Sequence, residues 1–492
     1  MSEFTSTYAP LGLAAMILIL LADGWAEPRG RRSIFARSFV GTSILLLVAM
    51  IAFALMLILT GAPLVSQMVV VALMAALSMI SNIKRKVLGE PLVFSDFALI
   101  GAVFQHPQFY FSAMRPGQIV ILVGGLATLI VTLIVLSSAD FAPRLVGVVL
   151  ALVAGVGLWR SLWNFRKALP ARVPDPDADV QCHGLAASLL TYWQDWCQTP
   201  DLSPCQDELI PGQSRQLVVV VQCESFTDPV ELFGQPALAL QGLEAARRIA
   251  WQAGRLLVSG FGAYTMRTEY GVLFGRDERT LGTRRFDPFL TAHRDSSWAL
   301  PNRLDHSEWA RWFVHPHDMR FYGRHRIMPK AGFGALVGED CFAPPAPHEG
   351  RYVTDAAITD QILELAQERT QAGFVYAVTI ENHGPWPPGK LDEPGASAPY
   401  LDLLSHSDAM LARLLEELPR IGRPVTLCFF GDHRPSIPAV SVPGPERSTP
   451  YVILRFAADG RPISGNGLGL DITPAELHSS ILAAIRLGEA ER

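Results

Sequence analysis

Residues 38–83 contain no charged side chain, and Gly61-Ala62-Pro63 divides them into two halves, each long enough to cross a hydrocarbon core of about 30 Å. A globular helix of that length keeps a polar face for water, and neither half has one. Two membrane helices joined by a tight turn are therefore predicted. A further uncharged run, 116–139, predicts a third full span, and residues 4–22 and 145–159 supply shorter or less uniform ones. Five spans are expected, with 145–159 the weakest of them. The start Met-Ser-Glu-Phe-Thr-Ser-Thr lacks a basic region, so the first span is expected to be retained rather than cleaved.

The chain is 492 residues long and 50% hydrophobic, and the apolar residues crowd into its first third. An integral membrane protein with a soluble remainder follows. Net charge is −5, with no basic stripe interleaved with aromatics, so nucleic acid is not an expected partner. Arg29, Arg31, Arg32 and Arg37 follow the first span, and Lys84, Arg85, Lys86 and Arg115 follow the third; the other short loops offer only Arg144. The positive-inside rule places both basic loops in the cytoplasm, and five full spans would leave the remainder there too. Of six cysteines, Cys182, Cys197 and Cys205 lie close together, and one disulfide among them is expected if that stretch is outside the cytoplasm. Cys223 and Cys428 lie in apolar strand-like runs and read as buried thiols.

Arg172-Val-Pro-Asp-Pro-Asp-Ala-Asp breaks any helix, which divides the chain into a transmembrane domain (1–165), a linker (166–212) and a catalytic domain (213–492). In the last of these, apolar runs at 217–221, 256–259, 312–315, 374–380, 426–430 and 452–456 alternate with helical patterns. Strands apolar on both faces imply a mostly parallel sheet covered by helices. Four runs lead directly to polar residues: Glu224, Thr265, His383 and the pair Asp432-His433. Ligands bind outside the carboxyl ends of such strands, so one shared site is expected.

Two carboxylates, an imidazole and a hydroxyl make a sound N/O donor set for one divalent ion. Thr265 lies where a glycine-containing turn enters a helix, a position suited to phosphate, and metal coordination is one way to activate a hydroxyl. Thr265 could equally be a helix cap, with Thr268 the nucleophile. Trp386 with Pro385, Pro387 and Pro388 could wall a pocket or merely stiffen a loop.

Val-Gln-Cys-Glu224-Ser-Phe, Tyr-Thr265-Met-Arg-Thr-Glu269, Ile-Glu-Asn-His383-Gly-Pro-Trp and Phe-Gly-Asp432-His433 resemble, in that order, motifs of the lipoteichoic acid synthase and phosphoglycerol transferase family, within the alkaline phosphatase superfamily. The resemblance covers most of residues 213–487 and extends to Lys84-Arg-Lys-Val-Leu-Gly-Glu-Pro-Leu-Val-Phe-Ser-Asp-Phe. It implies a multi-span α-helical membrane domain followed by an α/β sulfatase-like domain. It also implies one manganese ion, with magnesium or zinc as alternatives, on Glu224, Thr265, Asp432 and His433. Thr265 would carry glycerol phosphate taken from phosphatidylglycerol, for delivery to a glycan or a glycerol-phosphate polymer. His383, His315, Tyr322 and Arg324 match the substrate pocket; Tyr322 stands where the family often has tryptophan. The resemblance implies a multi-pass protein of the bacterial inner membrane with its catalytic domain outside, against the charge rule. A phosphoethanolamine transferase would share this chemistry, and a non-catalytic scaffold or glycan-binding protein would share the fold. A sulfatase would need Cys-x-Pro-x-Arg, which Ser203-Pro-Cys205-Gln-Asp does not match.

Overall fold

The structure, a computed structural model, describes residues 2–30, 37–98, 116–168, 173–212, 215–346, 349–368, 371–386, 397–437 and 440–490. Arg31, Arg32, Arg115, Pro387 and Pro388 lie outside the described residues. The chain forms two compact units, Met1–Thr199 and Pro200–Arg492.

The first unit contains α1 (Ser2–Trp25), α2 (Phe39–Thr60), α3 (Pro63–Leu88), α4 (Pro116–Val135), α5 (Phe141–Ala168), α6 (Pro176–His183) and α7 (Leu185–Gln198). Among the described residues, three helices are long and apolar enough to cross a membrane: Phe39–Thr60, Pro63–Leu88 and Phe141–Asn164. Large apolar side chains such as Met68 and Leu152 stand about two-thirds exposed on them, which suits lipid and not water. The turn at Gly61 is the expected one: its φ of 65° is left-handed, and its N–H closes α2 on the Leu57 carbonyl. The weakest expected span proves to be one of the strongest, because α5 continues well past 145–159 at both ends. Conversely, the run 116–139 yields a helix whose apolar described part is only Val123–Val135. The expected linker also carries structure, since α6 and α7 occupy 176–198. Asp175 caps α6 through the Ala178 N–H, and the prolines that suggested a break supply its first helical residue.

α6 and α7 gather with the end of α1, the start of α2 and the end of α3. Arg37 donates to the carbonyls of Asp23, Ala26, Pro28, Val180 and Gln181. Lys84 pairs with Glu90 and Asp96, at 3.1 and 2.6 Å, and Arg85 pairs with Asp177. All six cysteines are free thiols, so the expected disulfide is not formed; Cys223 and Cys428 are buried, as expected.

The second unit is built on an eight-stranded sheet. Its strands are β1 (Leu217–Cys223), β2 (Gln252–Leu256), β3 (Trp309–Val314), β4 (Ala335–Val337), β5 (Ala372–Val378), β6 (Val425–Gly431), β7 (Thr449–Phe456) and β8 (Gly467–Ile472). Their order is β4-β3-β5-β1-β6-β7-β2-β8. β1, β5, β6 and β7 are buried at every residue, which is why they read as continuous apolar runs. Only β7 runs against its neighbours, pairing antiparallel with both β6 and β2. Two reversals cancel, so β2 points the same way as β6, and the carboxyl ends of β1, β2, β3, β5 and β6 share one edge. Helices α8 (Pro229–Phe233), α9 (Gln241–Ile249), α10 (Thr265–Phe274), α11 (Arg324–Lys330), α12 (Asp355–Ala366), α13 (Ser397–Glu417) and α14 (Pro474–Ala490) cover the sheet. The core includes Val219, Val221, Leu427 and Leu454 of the sheet and Ile358, Leu404 and Leu411 of α12 and α13.

Candidate active site

At the carboxyl edge β1 and β6 run side by side in register, with Cys223 opposite Gly431. The next residues of each strand, Glu224 and Asp432, therefore arrive together. Gly431 has no room for a side chain, because a Cβ would come within 1.9 Å of the Phe226 carbonyl oxygen. The chain after β1 turns sharply at Ser225, whose φ is 53°, and the Ser225 N–H donates to Asp432 Oδ1 at 2.9 Å. The Ser225 hydroxyl donates to Glu224 Oε1 at 2.8 Å, and the His433 N–H donates to Asp432 Oδ1 at 2.8 Å.

Glu224, Asp432 and His433 are all buried, and each offers one ligand atom within 4.8 Å of the other two. His433 Nε2 is 3.4 Å from Glu224 Oε1 and 3.5 Å from Asp432 Oδ2. Its Nδ1 lies 3.2 Å from the Arg434 carbonyl, a contact that requires the proton on Nδ1 and leaves Nε2 turned to the carboxylates. Among the described residues Asp432 Oδ2 is buried without a hydrogen-bond partner, a costly state for a carboxylate oxygen. Burial, reinforced by the Glu224 charge, pushes Asp432 up to about 7. Burial alone would depress His433, but the two carboxylates outweigh it and leave the imidazole raised. An orphaned oxygen, two crowded carboxylates and an oriented imidazole fit a divalent cation, which would relieve the first two and accept the third as a ligand.

Thr265 is the first residue of α10, and its Oγ1 lies 3.5 Å from His433 Nε2. Tyr264 before it takes a left-handed φ of 74° and no side chain caps the helix, although the Arg267 N–H already turns back to the Tyr264 carbonyl at 2.9 Å. Thr268 is committed elsewhere: buried, it donates to the Asp432 carbonyl at 2.7 Å, fastening α10 to the Asp-His loop.

A second group forms around Arg324. Its guanidinium meets Glu269 in a fork, Nε to Oε1 at 3.1 Å and Nη2 to Oε2 at 2.5 Å, with both side chains essentially inaccessible. Its Nη1 lies 3.2 Å from His315 Nε2, while His315 Nδ1 donates to the Val378 carbonyl at 3.0 Å. Burial and the adjoining guanidinium hold His315 well below its usual range, so it accepts from Arg324 as a neutral ring. Tyr322, at φ 55°, places its ring 5.2 Å from the guanidinium carbon. Two nitrogens of Arg324, one of the residues matched to the substrate pocket, are thus bound to Glu269. Glu269 lies four residues after Thr265 on the same helix, so α10 joins the two groups.

His383 follows β5, and its ring meets Tyr352 edge-on at 5.8 Å. The Tyr352 hydroxyl is buried with no hydrogen-bond partner among the described residues, and burial raises it to about 12, with Glu224 adding to the rise. Trp386, one of the residues of undecided role, is buried; its Nε1 donates to Asn382 Oδ1 at 3.0 Å and its ring packs on Tyr400. Glu269 and Tyr352 were not assigned a role from sequence. Glu269 stands inside a quoted motif, and a buried arginine elsewhere would have called for it; Tyr352 carries no local signal.

The sulfatase family profile matches residues 216–456. The capsular polysaccharide biosynthesis protein RkpI of Rhizobium meliloti is 30% identical over 407 residues, 77% of this chain and 74% of RkpI. The chain belongs to the sulfatase family. A second relative from Rhizobium meliloti, a putative cyclic β-1,2-glucan modification protein, is 25% identical over 236 residues, 45% of this chain and 36% of that protein. Among solved structures, the integral membrane lipooligosaccharide phosphoethanolamine transferase EptA of Neisseria meningitidis superposes over 95% of both chains with a TM-score of 0.51 and 12% identity. That likeness concerns the fold: a helical membrane unit followed by a sulfatase-like α/β unit. This sulfatase-family chain is thus a membrane protein with an enzyme's fold and a buried trio suited to a metal ion.

Proposed function

We propose that the protein is a membrane-bound phosphoglycerol transferase that moves glycerol phosphate from phosphatidylglycerol to a glycan hydroxyl through a phosphothreonine ester at Thr265. The observation that carries this reading is the Thr265 hydroxyl beside the buried Glu224, Asp432 and His433, at the uncapped start of α10. Those three residues would hold a divalent ion, manganese by the motif resemblance and magnesium or zinc by the same donor chemistry. When bound, it would supply positive charge that favours the threonine alkoxide and the charged phosphoryl oxygens.

In the first half-reaction Thr265 Oγ1 bonds to phosphorus and the bond to the diacylglycerol oxygen breaks, the hydroxyl proton ending on diacylglycerol. In the second, an acceptor hydroxyl bonds to phosphorus, Thr265 oxygen leaves, and the acceptor's proton returns to it. The N–H groups at the very start of α10, ahead of Arg267, would serve the transferred phosphoryl oxygens. Arg324, anchored by Glu269 and flanked by His315 and Tyr322, positions the pocket wall, and His383 faces the transferred group. Because Thr268 is tied to the Asp432 carbonyl, Thr265 is the better nucleophile. The glycan class of acceptor is supported by the names of the two relatives. A phosphoethanolamine transferase is the second reading, because Tyr322 replaces the tryptophan of the head-group pocket.

We place the catalytic unit on the outer face of the inner membrane. The basic loops oppose this, but Arg37, Lys84 and Arg85 are held by carbonyls and carboxylates of the helical unit, so they are structural ties rather than a free cytoplasmic charge cluster. A periplasm-active reporter fused after Thr199 would stay silent if the placement were wrong. For the chemistry, Thr265→Ala should abolish diacylglycerol release from phosphatidylglycerol vesicles and the accompanying mass increase on the protein. Undiminished release would eliminate the nucleophile and, with it, the mechanism.

A further inference from the structure

Beside His383 lies a cavity of about 670 Å³, walled by the 349–359 segment, the loop after β5 and α13. Its volume falls in the range of about 300–1,000 Å³ expected of a small-ligand site. The charges on its lining nearly balance: Glu349, Glu381 and Asp402 face Arg351 and Arg413. A site for a free phosphate would carry an excess of cations, and one for an acyl chain would lack these groups altogether. Planar charged groups of both signs, set beside aromatic rings, instead suit a neutral molecule rich in hydroxyls with an apolar face.

The polar groups are held in position. His406, about half exposed, lies 2.8 Å through Nδ1 from the buried Glu381 carboxylate, which turns Nε2 outward. Glu381 is fixed in turn by the Asp355 N–H at 2.6 Å. Arg413, also about half exposed, is braced by Asp360 at 2.6 Å. The aromatic members are Trp386 and Tyr352, and Tyr352 links the cavity to the reaction centre, since its ring touches His383 and its hydroxyl feels Glu224.

We propose that this cavity is the acceptor subsite and holds one neutral sugar ring of the glycan that receives the phosphoryl group. The inference rests on the transferase reading for its meaning, though binding can be tested without turnover. His406 accepts a hydrogen bond from one ring hydroxyl through Nε2 and Arg413 donates to another, and a sugar bound there presents a hydroxyl past Tyr352 and His383 toward Thr265.

The test uses the full chain in nanodiscs, carrying Thr265→Ala so that no transfer occurs, with a linear β-1,2-linked glucose tetramer as probe and saturation-transfer NMR and tryptophan fluorescence as readouts. Saturable binding is expected, weakened at least tenfold by His406→Gln and by Arg413→Gln. Both side chains are half exposed, so unchanged thermal midpoints would show that the variants fold. No saturable binding of the tetramer, or binding untouched by both substitutions, would overturn the proposal. So would a short-chain diacylglycerol that binds in the tetramer's place and is lost in the same variants. Because the protein used is already inactive, failure here leaves the Thr265 chemistry standing, and failure of that chemistry leaves the binding result intact.

Discussion

Replacing Glu269 by glutamine should be among the most damaging single changes in the catalytic unit, although Glu269 is neither one of the buried trio nor the proposed nucleophile. The carboxylate and Arg324 form two charge-assisted bonds at 3.1 and 2.5 Å, with side-chain exposures of 0% and 2%. Glutamine can accept only one of those bonds, and its amide N–H points at the guanidinium. His315 already lies against Nη1 as a neutral acceptor, so nothing nearby replaces the lost charge. Removing one partner of a buried pair costs about 3–5 kcal/mol, because the other charge stays buried. At about 2–4 °C per kcal/mol for a domain approaching this size, the thermal midpoint should fall by about 10 °C. The assay is tryptophan-monitored unfolding of the full chain in detergent. Glu269→Gln combined with Arg324→Met should recover at least half of the loss, since no uncompensated charge remains, whereas activity should stay absent in both. A fall of less than about 2 °C, or a double variant worse than the single one, would refute the claim that Glu269 anchors Arg324.

Two further outcomes follow from the same geometry. Manganese at a hundredfold excess over its dissociation constant should stabilise the folded chain by about 2.7 kcal/mol, a gain that a chelator reverses and Asp432→Asn removes; an unchanged midpoint would argue against a metal site. Asp355 is pushed up to about 7 by burial and by the neighbouring Glu381. A carboxyl raised above its unfolded value of about 3.9 contributes stability fully below pH ~4 and loses it as pH rises through 7. The stability of the parent minus that of Asp355→Asn should therefore shrink between pH 5 and pH 8, and a constant difference would dismiss the assignment.

The sequence was most legible where burial is total. β1, β5, β6 and β7 are apolar on both faces, and the polar residues that interrupt them, Glu224, His383 and Asp432-His433, could be recognised as strand-end groups. β4 and β8 went unseen for physical reasons: β4 has three residues, and β8 alternates glycine with exposed leucines at the sheet margin. The run at 256–259 was misread because Leu256 is the last residue of β2, whose earlier residues include a glycine and an exposed arginine. Helix α5 was undervalued because Arg144 and Arg160 shorten its uncharged core; Arg144 is in fact turned back to the Ile58 and Ser138 carbonyls. The commitment of Arg324 to Glu269 and the unpaired hydroxyl of Tyr352 are three-dimensional facts with no local pattern to announce them.

The pairing of Cys223 with Gly431 also has a meaning in time. Glu224 is made roughly two hundred residues before its partners, and β1 remains without its β6 neighbour until that distant segment is synthesised. A contact of such high sequence separation forms slowly, and an unfinished sheet exposes a bare strand edge meanwhile. No partial product of translation can therefore bring Glu224 against Asp432 and His433. A metal held by this trio would be captured late in the protein's biogenesis, marking a chain whose central strands have closed.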